Sequence, residues 1–155
     1  GIKRDEAKAY IDAYFQKFPG IAAYMDAMKE TAREKGYIET VFGRRCHFPA
    51  IRDKNPQMRQ FAERQAINAP IQGSAADIIR RAMARMDAAI EEAGLKARML
   101  LQVHDELVFE CPESEADALI PLVQEVMGKA ALPAVHLSVP LVVEAKAATT
   151  WGQAH

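Results

Sequence analysis

The chain has 155 residues, is 50% hydrophobic and 26% charged, and carries a net charge of -1. That is the make-up of a globular domain with its own core, and it excludes a disordered, collagen-like or disulfide-stapled chain. Cys46 and Cys111 form no CxxC pair and the four histidines have no ligand spacing, so a patterned zinc site is excluded and two free thiols are expected.

Arg4 to Phe18 reads as a helix, because Ala7, Tyr10, Ile11, Tyr14, Phe15 and Phe18 recur at three- and four-residue spacing. Asp5 and Glu6 favour its start, and Pro19-Gly20 stops it. A second helix carries Ile21, Tyr24, Met25, Met28 and Ala32 on one face and closes near Gly36. Tyr37 to Phe42 has strand composition, Gly43 can turn the chain, and Cys46 to Phe48 can pair back. Pro49 to Pro56 is expected as a loop.

A long helix is predicted from Gln57 to about Ala93, capped by Gly94 and kinked at Pro70, which removes a donor and crowds the preceding turn. Its apolar stripe of Ala75, Ile78, Ile79, Ala82, Met83 and Met86 is expected in the core. Strands follow at Lys96 to Val103 and Leu107 to Cys111, then a helix at Glu113 to Met127 and a last strand at Leu137 to Ala145. The order predicts an α+β fold: long helices with a small β-hairpin, followed by an antiparallel sheet built strand-strand-helix-strand.

No apolar run approaches the ~18 residues of a membrane span, and no signal peptide stands at the start. The first residue is Gly1 rather than Met, so a natural start is not expected. Charge is unevenly placed. Residues 44 to 85 hold nine basic and three acidic side chains, whereas residues 86 to 155 hold four basic and eleven acidic. A basic middle can face a polyanion, and it can equally be a solvated helix surface.

Residues 102 to 110 read QVHDELVFE, two adjacent acids between hydrophobic strands. A carboxylate at a hairpin tip projects rigidly and suits a hard cation. Aspartate is also a common turn residue for purely local reasons. The whole nine-residue string, however, resembles the C-motif on the palm hairpin of family A DNA polymerases. By that resemblance Asp105 is a catalytic metal ligand, Glu106 is a supporting catalytic acid, and His104 lies by the primer terminus.

Arg64, Asn68 and Gln72 are spaced four and four, which stacks them along ~12 Å of one helix face. On spacing alone this is as readily an exposed polar face. Such a row also suits the minor groove, whose acceptors vary little with sequence. The surrounding ERQAINAPIQGSAADII resembles the same family's long palm helix, and the three residues match its positions that contact duplex DNA. Gly36-Tyr37, Thr40 and Gly43-Arg44-Arg45 resemble the hairpin after the fingers helices. Trp151 and Ala154-His155 resemble the family's C-terminal ending, which implies a natural C-terminus.

The resemblance implies residues 1–155 are the C-terminal part of a polymerase domain, with 1–56 from the fingers region and 57–155 carrying the palm helix and catalytic hairpin. It implies a bacterial cytoplasmic DNA-directed DNA polymerase that uses two Mg2+ ions, primer–template DNA and deoxynucleoside triphosphates. Two ions sit ~3.5–4 Å apart and need more than one carboxylate. The family's second aspartate lies in a DYSQIE-like strand, and its nucleotide-holding helix in a K…NFGxxYG-like motif; neither string occurs here. The chain alone is therefore expected to be inactive, and its uncovered apolar surface to favour self-association. A non-catalytic duplex-binding module remains the alternative.

Overall fold

The computed structural model describes residues 3 to 154. Helix α1 spans Arg4–Lys17 and α2 spans Pro19–Lys35. The Glu6 carboxylate accepts the Lys3 N–H at 3.2 Å, which satisfies one orphan donor at the start of α1. Pro19 opens α2, where its missing N–H costs nothing. Gly36 closes α2 in the left-handed conformation and donates to the Ala32 carbonyl at 2.8 Å.

A hairpin follows, β1 (Tyr37–Glu39) against β2 (Arg45–His47), antiparallel with Ile38 opposite Cys46. Its loop is organised by Thr40, whose buried hydroxyl accepts the N–H groups of Phe42 and Arg44. A 3-10 turn covers Pro49–Arg52 within the expected loop. Helix α3 then runs Pro56–Glu92 as one element, carried through Pro70.

The chain forms two compact units, residues 1–73 and 74–155, so the division falls inside α3. In the first, Ala32, Ile38, Phe48, Ile51, Ala62 and Ala66 make the core. Its small residues let α3 approach closely, and the Tyr24 hydroxyl donates to the Ile67 carbonyl at 2.9 Å. Helix α1 contributes no buried residue: Tyr10, Ile11 and Tyr14 are all exposed, as is Phe18 just after it.

In the second unit β3 (Arg98–Val103) and β4 (Glu106–Glu110) pair antiparallel, and α4 (Ala116–Gly128) packs Leu119 and Val123 with Met86, Ile90 and Ala97. A short helix α5 closes the described chain at Trp151–Ala154. Ala75, expected in the core stripe of α3, is exposed, whereas Ile79, Ala82 and Met86 are buried.

The last expected strand does not form. Residues 137 to 145 pair with no strand among the described residues. A strand is stabilised by ladder hydrogen bonds to a neighbour, and Pro140 removes one donor from this segment. The alternating pattern that suggested a strand persists as burial: Leu141, Val143 and Ala145 are half-buried, and Val142 and Glu144 are exposed. The Gln124 amide donates to the Val143 carbonyl at 3.1 Å, satisfying one acceptor that a ladder would have used. The antiparallel sheet of this unit is thus two-stranded, not three.

Candidate polymerase site

The ladder of β3 and β4 fixes the tip of their hairpin. Gln102 lies opposite Leu107 and Val103 opposite Glu106, leaving His104-Asp105 as a two-residue loop. Two-residue loops need positive φ to match the strand twist. His104 supplies it at φ 52, a conformation that a non-glycine residue adopts at a cost on the order of 1 kcal/mol. The Gln102 amide Nε2 donates to the His104 carbonyl at 2.7 Å.

Gln102, His104, Asp105 and Glu106 are all exposed. Asp105 is in the turn and Glu106 begins β4, so the two carboxylates are neighbours in sequence on different local frames. Among the described residues no three of His, Cys, Asp and Glu gather closely enough to hold a metal ion. Among the described residues the tip therefore offers carboxylate donors to a cation but no complete cation site.

Arg64, Asn68 and Gln72 all lie exposed along α3, in the first compact unit. The Arg64 guanidinium stands 5.9 Å from the centre of the Phe61 ring, itself exposed. None of the three side chains makes a hydrogen bond among the described residues. A guanidinium and two amides thus offer donors to solvent from one helix face, as the spacing predicts.

The basic middle has a largely internal explanation. Five of its nine basic residues donate to main-chain carbonyls. Arg52 caps the end of α2 through the carbonyls of Arg33 and Glu34, both at 2.8 Å. Arg44 reaches the Gly73 carbonyl at 3.0 Å and Arg59 the Asp53 carbonyl at 3.1 Å. Arg81 and Arg85 satisfy Ala130 and Leu132 in the turn after α4. Arg45 pairs with Glu39 at 3.0 Å and lies over the Tyr37 ring at 4.6 Å.

Two residues around these features were not singled out from sequence. Gln102 was seen only as part of a string, because nothing in a sequence says that a side chain will bond two residues onward. Gly73 directly follows Gln72, and a Cβ there would lie 2.7 Å from the Thr40 Cγ2. A glycine inside an otherwise helical pattern was the available signal for such a close approach. A groove of about 490 Å3 lined by Arg85, Ala89, Leu122, Glu125, Val126 and Lys129 holds none of the site residues.

A sequence model of DNA polymerase family A matches residues 1–153. The chain belongs to DNA polymerase family A. It is 54% identical to the DNA polymerase I of Rhizobium leguminosarum over 156 aligned residues, covering 99% of this chain and 15% of that protein. It is 50% identical to the DNA polymerase I of Pseudomonas aeruginosa, covering all of this chain and 16% of that one. The solved polymerase domain of Pol1 from M. smegmatis, in complex with DNA primer–template and dNTP, matches 90% of this chain at a TM-score of 0.83 and 50% identity; the match covers 24% of that domain. The chain thus spans about a sixth of the length of the curated relatives it matches. Family membership agrees with the resemblance carried by QVHDELVFE and the α3 row. No described helix is long and apolar enough to cross a membrane.

Proposed function

We propose that this chain is part of a DNA-directed DNA polymerase, supplying one carboxylate of its catalytic centre and a duplex-facing helix row. The observation that carries the reading is the exposed Asp105 on a two-residue hairpin tip in a member of family A. In the whole enzyme the primer 3′ hydroxyl attacks the α-phosphate of a deoxynucleoside triphosphate, forming a phosphodiester bond as the bond to pyrophosphate breaks. Asp105 is assigned as a ligand for Mg2+, Glu106 as its supporting acid, and His104 as a neighbour of the primer end. Bound divalent metal stabilises the charge that develops at the reacting phosphate.

The first part, residues 1–56, is assigned to the fingers region, and residues 57–155 to the palm. Arg64, Asn68 and Gln72 are assigned to the minor groove of primer–template DNA, where uniform acceptors let a polymerase grip any sequence. A bacterial cytoplasmic location belongs to the same proposal. The exposed aromatic face of α1 supports self-association of the isolated chain.

The test uses a DNA polymerase I in which this chain replaces the matching stretch. Asp105→Ala is expected to abolish primer extension while leaving primer–template binding within about twofold. Undiminished extension would remove Asp105 from the catalytic centre. The exposed row on α3 also fits a second reading, duplex binding without catalysis. An Asp105→Ala variant that binds and extends as well as its parent would favour it.

A further inference from the structure

The loop at the hairpin tip places the left-handed residue at His104. Loops of this kind favour glycine or asparagine at positive φ, where a side chain brings its Cβ against the following carbonyl. The closed ladder selects this conformation, and histidine adopts it at a cost that a neighbouring hydrogen bond can offset. The Gln102 side chain is placed to do so. Its backbone is fixed in the β3 ladder opposite Leu107, and its amide reaches the His104 carbonyl at 2.7 Å.

That carbonyl belongs to the planar peptide that carries the Asp105 N–H. Holding the oxygen restrains that plane, which contains the Asp105 nitrogen and Cα, and together with the Asp105 φ the plane sets the direction in which its Cα–Cβ bond leaves the tip. Glutamine fits the task chemically. It donates a hydrogen bond without adding charge beside Asp105 and Glu106, whereas glutamate would lack the donor and add a third carboxylate. A hydrogen bond exposed to solvent is weak in isolation; here it is a short local closure across a tight loop, with little chain entropy to lose.

We infer that Gln102 is a positioning residue: its amide clamps the His104–Asp105 peptide and so aims the Asp105 carboxylate. The role rests on the reading of Asp105 as a metal ligand, but the clamp itself can be tested without activity. In the labelled 155-residue chain, NMR should show a strong intraresidue amide–Hα cross-peak at His104, the mark of positive φ. Gln102→Ala and Gln102→Glu should weaken it and shift the Asp105 amide. An unchanged cross-peak and an unchanged Asp105 amide in Gln102→Ala would overturn the clamp.

The functional arm uses the DNA polymerase I carrying this chain. Gln102→Ala should lower single-turnover extension about tenfold and raise the Mg2+ concentration needed for half-maximal rate, with primer–template affinity unchanged. In a His104→Gly background, where positive φ needs no support, the same substitution should change the rate less than about twofold. Equal losses in both backgrounds, or a loss confined to DNA affinity, would overturn the positioning role. Full extension by Asp105→Ala would instead sink the metal-ligand reading, and the NMR result would still decide the clamp.

Discussion

The Arg44 guanidinium donates to the Gly73 carbonyl at 3.0 Å, tying the β1–β2 hairpin to α3 at the residue after Gln72. The contact needs the absent side chain at Gly73, because a Cβ would lie 2.7 Å from Thr40 Cγ2 and 3.3 Å from the Arg44 guanidinium. Thr40 is buried and β-branched, so it has little freedom to move aside.

Gly73→Ala therefore sets two effects against each other. Alanine gains about 1 kcal/mol of helix propensity, while overpacking typically costs about 1–3 kcal/mol. The clash is with a rigid side chain, so a net loss of about 1–2 kcal/mol is expected in urea unfolding. Thr40→Ser removes Cγ2 and keeps the hydroxyl that accepts from Phe42 and Arg44. In the Gly73→Ala background it should restore most of the loss. An additive pair would show that the clash is not the cause.

Tyr24 gives a pH-dependent test. Burial raises its pKa above the ordinary value of 10.0, and its hydroxyl donates to the Ile67 carbonyl at 2.9 Å. A raised folded pKa means that the protonated form is favoured in the folded state. Its contribution is fully present below pH 10 and is lost as pH rises through the folded pKa. Tyr24→Phe should cost about 0.5–1.5 kcal/mol at pH 7, and the gap to the parent should narrow above pH 10. A gap that stays constant to pH 11 would contradict the assigned linkage.

DNA binding by the α3 row should respond to Arg64. Arg64→Ala is expected to cost about 1 kcal/mol, a roughly fivefold rise in Kd for primer–template duplex. The effect should be similar across duplex sequences, because minor-groove acceptors vary little between base pairs. Fluorescence anisotropy at fixed salt measures it. A substitution that altered affinity for one sequence alone would point away from this groove.

Primer extension by the purified chain, with Mg2+ and all four deoxynucleoside triphosphates, should yield no product. Asp105 and Glu106 alone do not surround two ions, and no larger ligand cluster occurs among the described residues. Metal-dependent extension that disappears with Asp105→Ala would overturn this expectation.

Self-association should depend on α1. Tyr10 and Tyr14 are 69% and 49% exposed, and with Ile11 and Phe18 they form an apolar face with no cover in its own unit. Sedimentation of the 17.2 kDa chain should show species larger than a monomer at micromolar concentration. Tyr10→Glu with Tyr14→Glu should return it to a monomer. Oligomers that persist in the double variant would place the contact elsewhere.

Much of the local structure was legible because its causes are local. Pro19 opens α2, Gly36 and Gly94 take left-handed φ after helices, and Gly43 turns the first hairpin. The four-residue spacing of Arg64, Asn68 and Gln72 placed them on one helix face, since helical geometry leaves no alternative, and that face is exposed. The basic middle left two readings open, a polyanion-facing surface and a solvated helix face. Charge counts do not distinguish an arginine facing phosphate from one such as Arg52 or Arg85 that satisfies carbonyls at a helix end.

By itself the sequence determined the α+β class and the order of elements as far as the helix after β4, the family through QVHDELVFE and the α3 segment, and the position of Asp105 at a turn. These follow from periodicity, turn chemistry and a specific string, all of which are read along the chain. Only the tertiary structure decided that residues 137 to 145 lack a ladder partner, that Gly73 admits the hairpin onto α3, and that Gln102 holds the His104 peptide beside Asp105. Each of these depends on which groups meet in space. Strand pairing, steric fit and a hydrogen bond across a turn are properties of pairs, and periodicity along the chain does not specify the pairs.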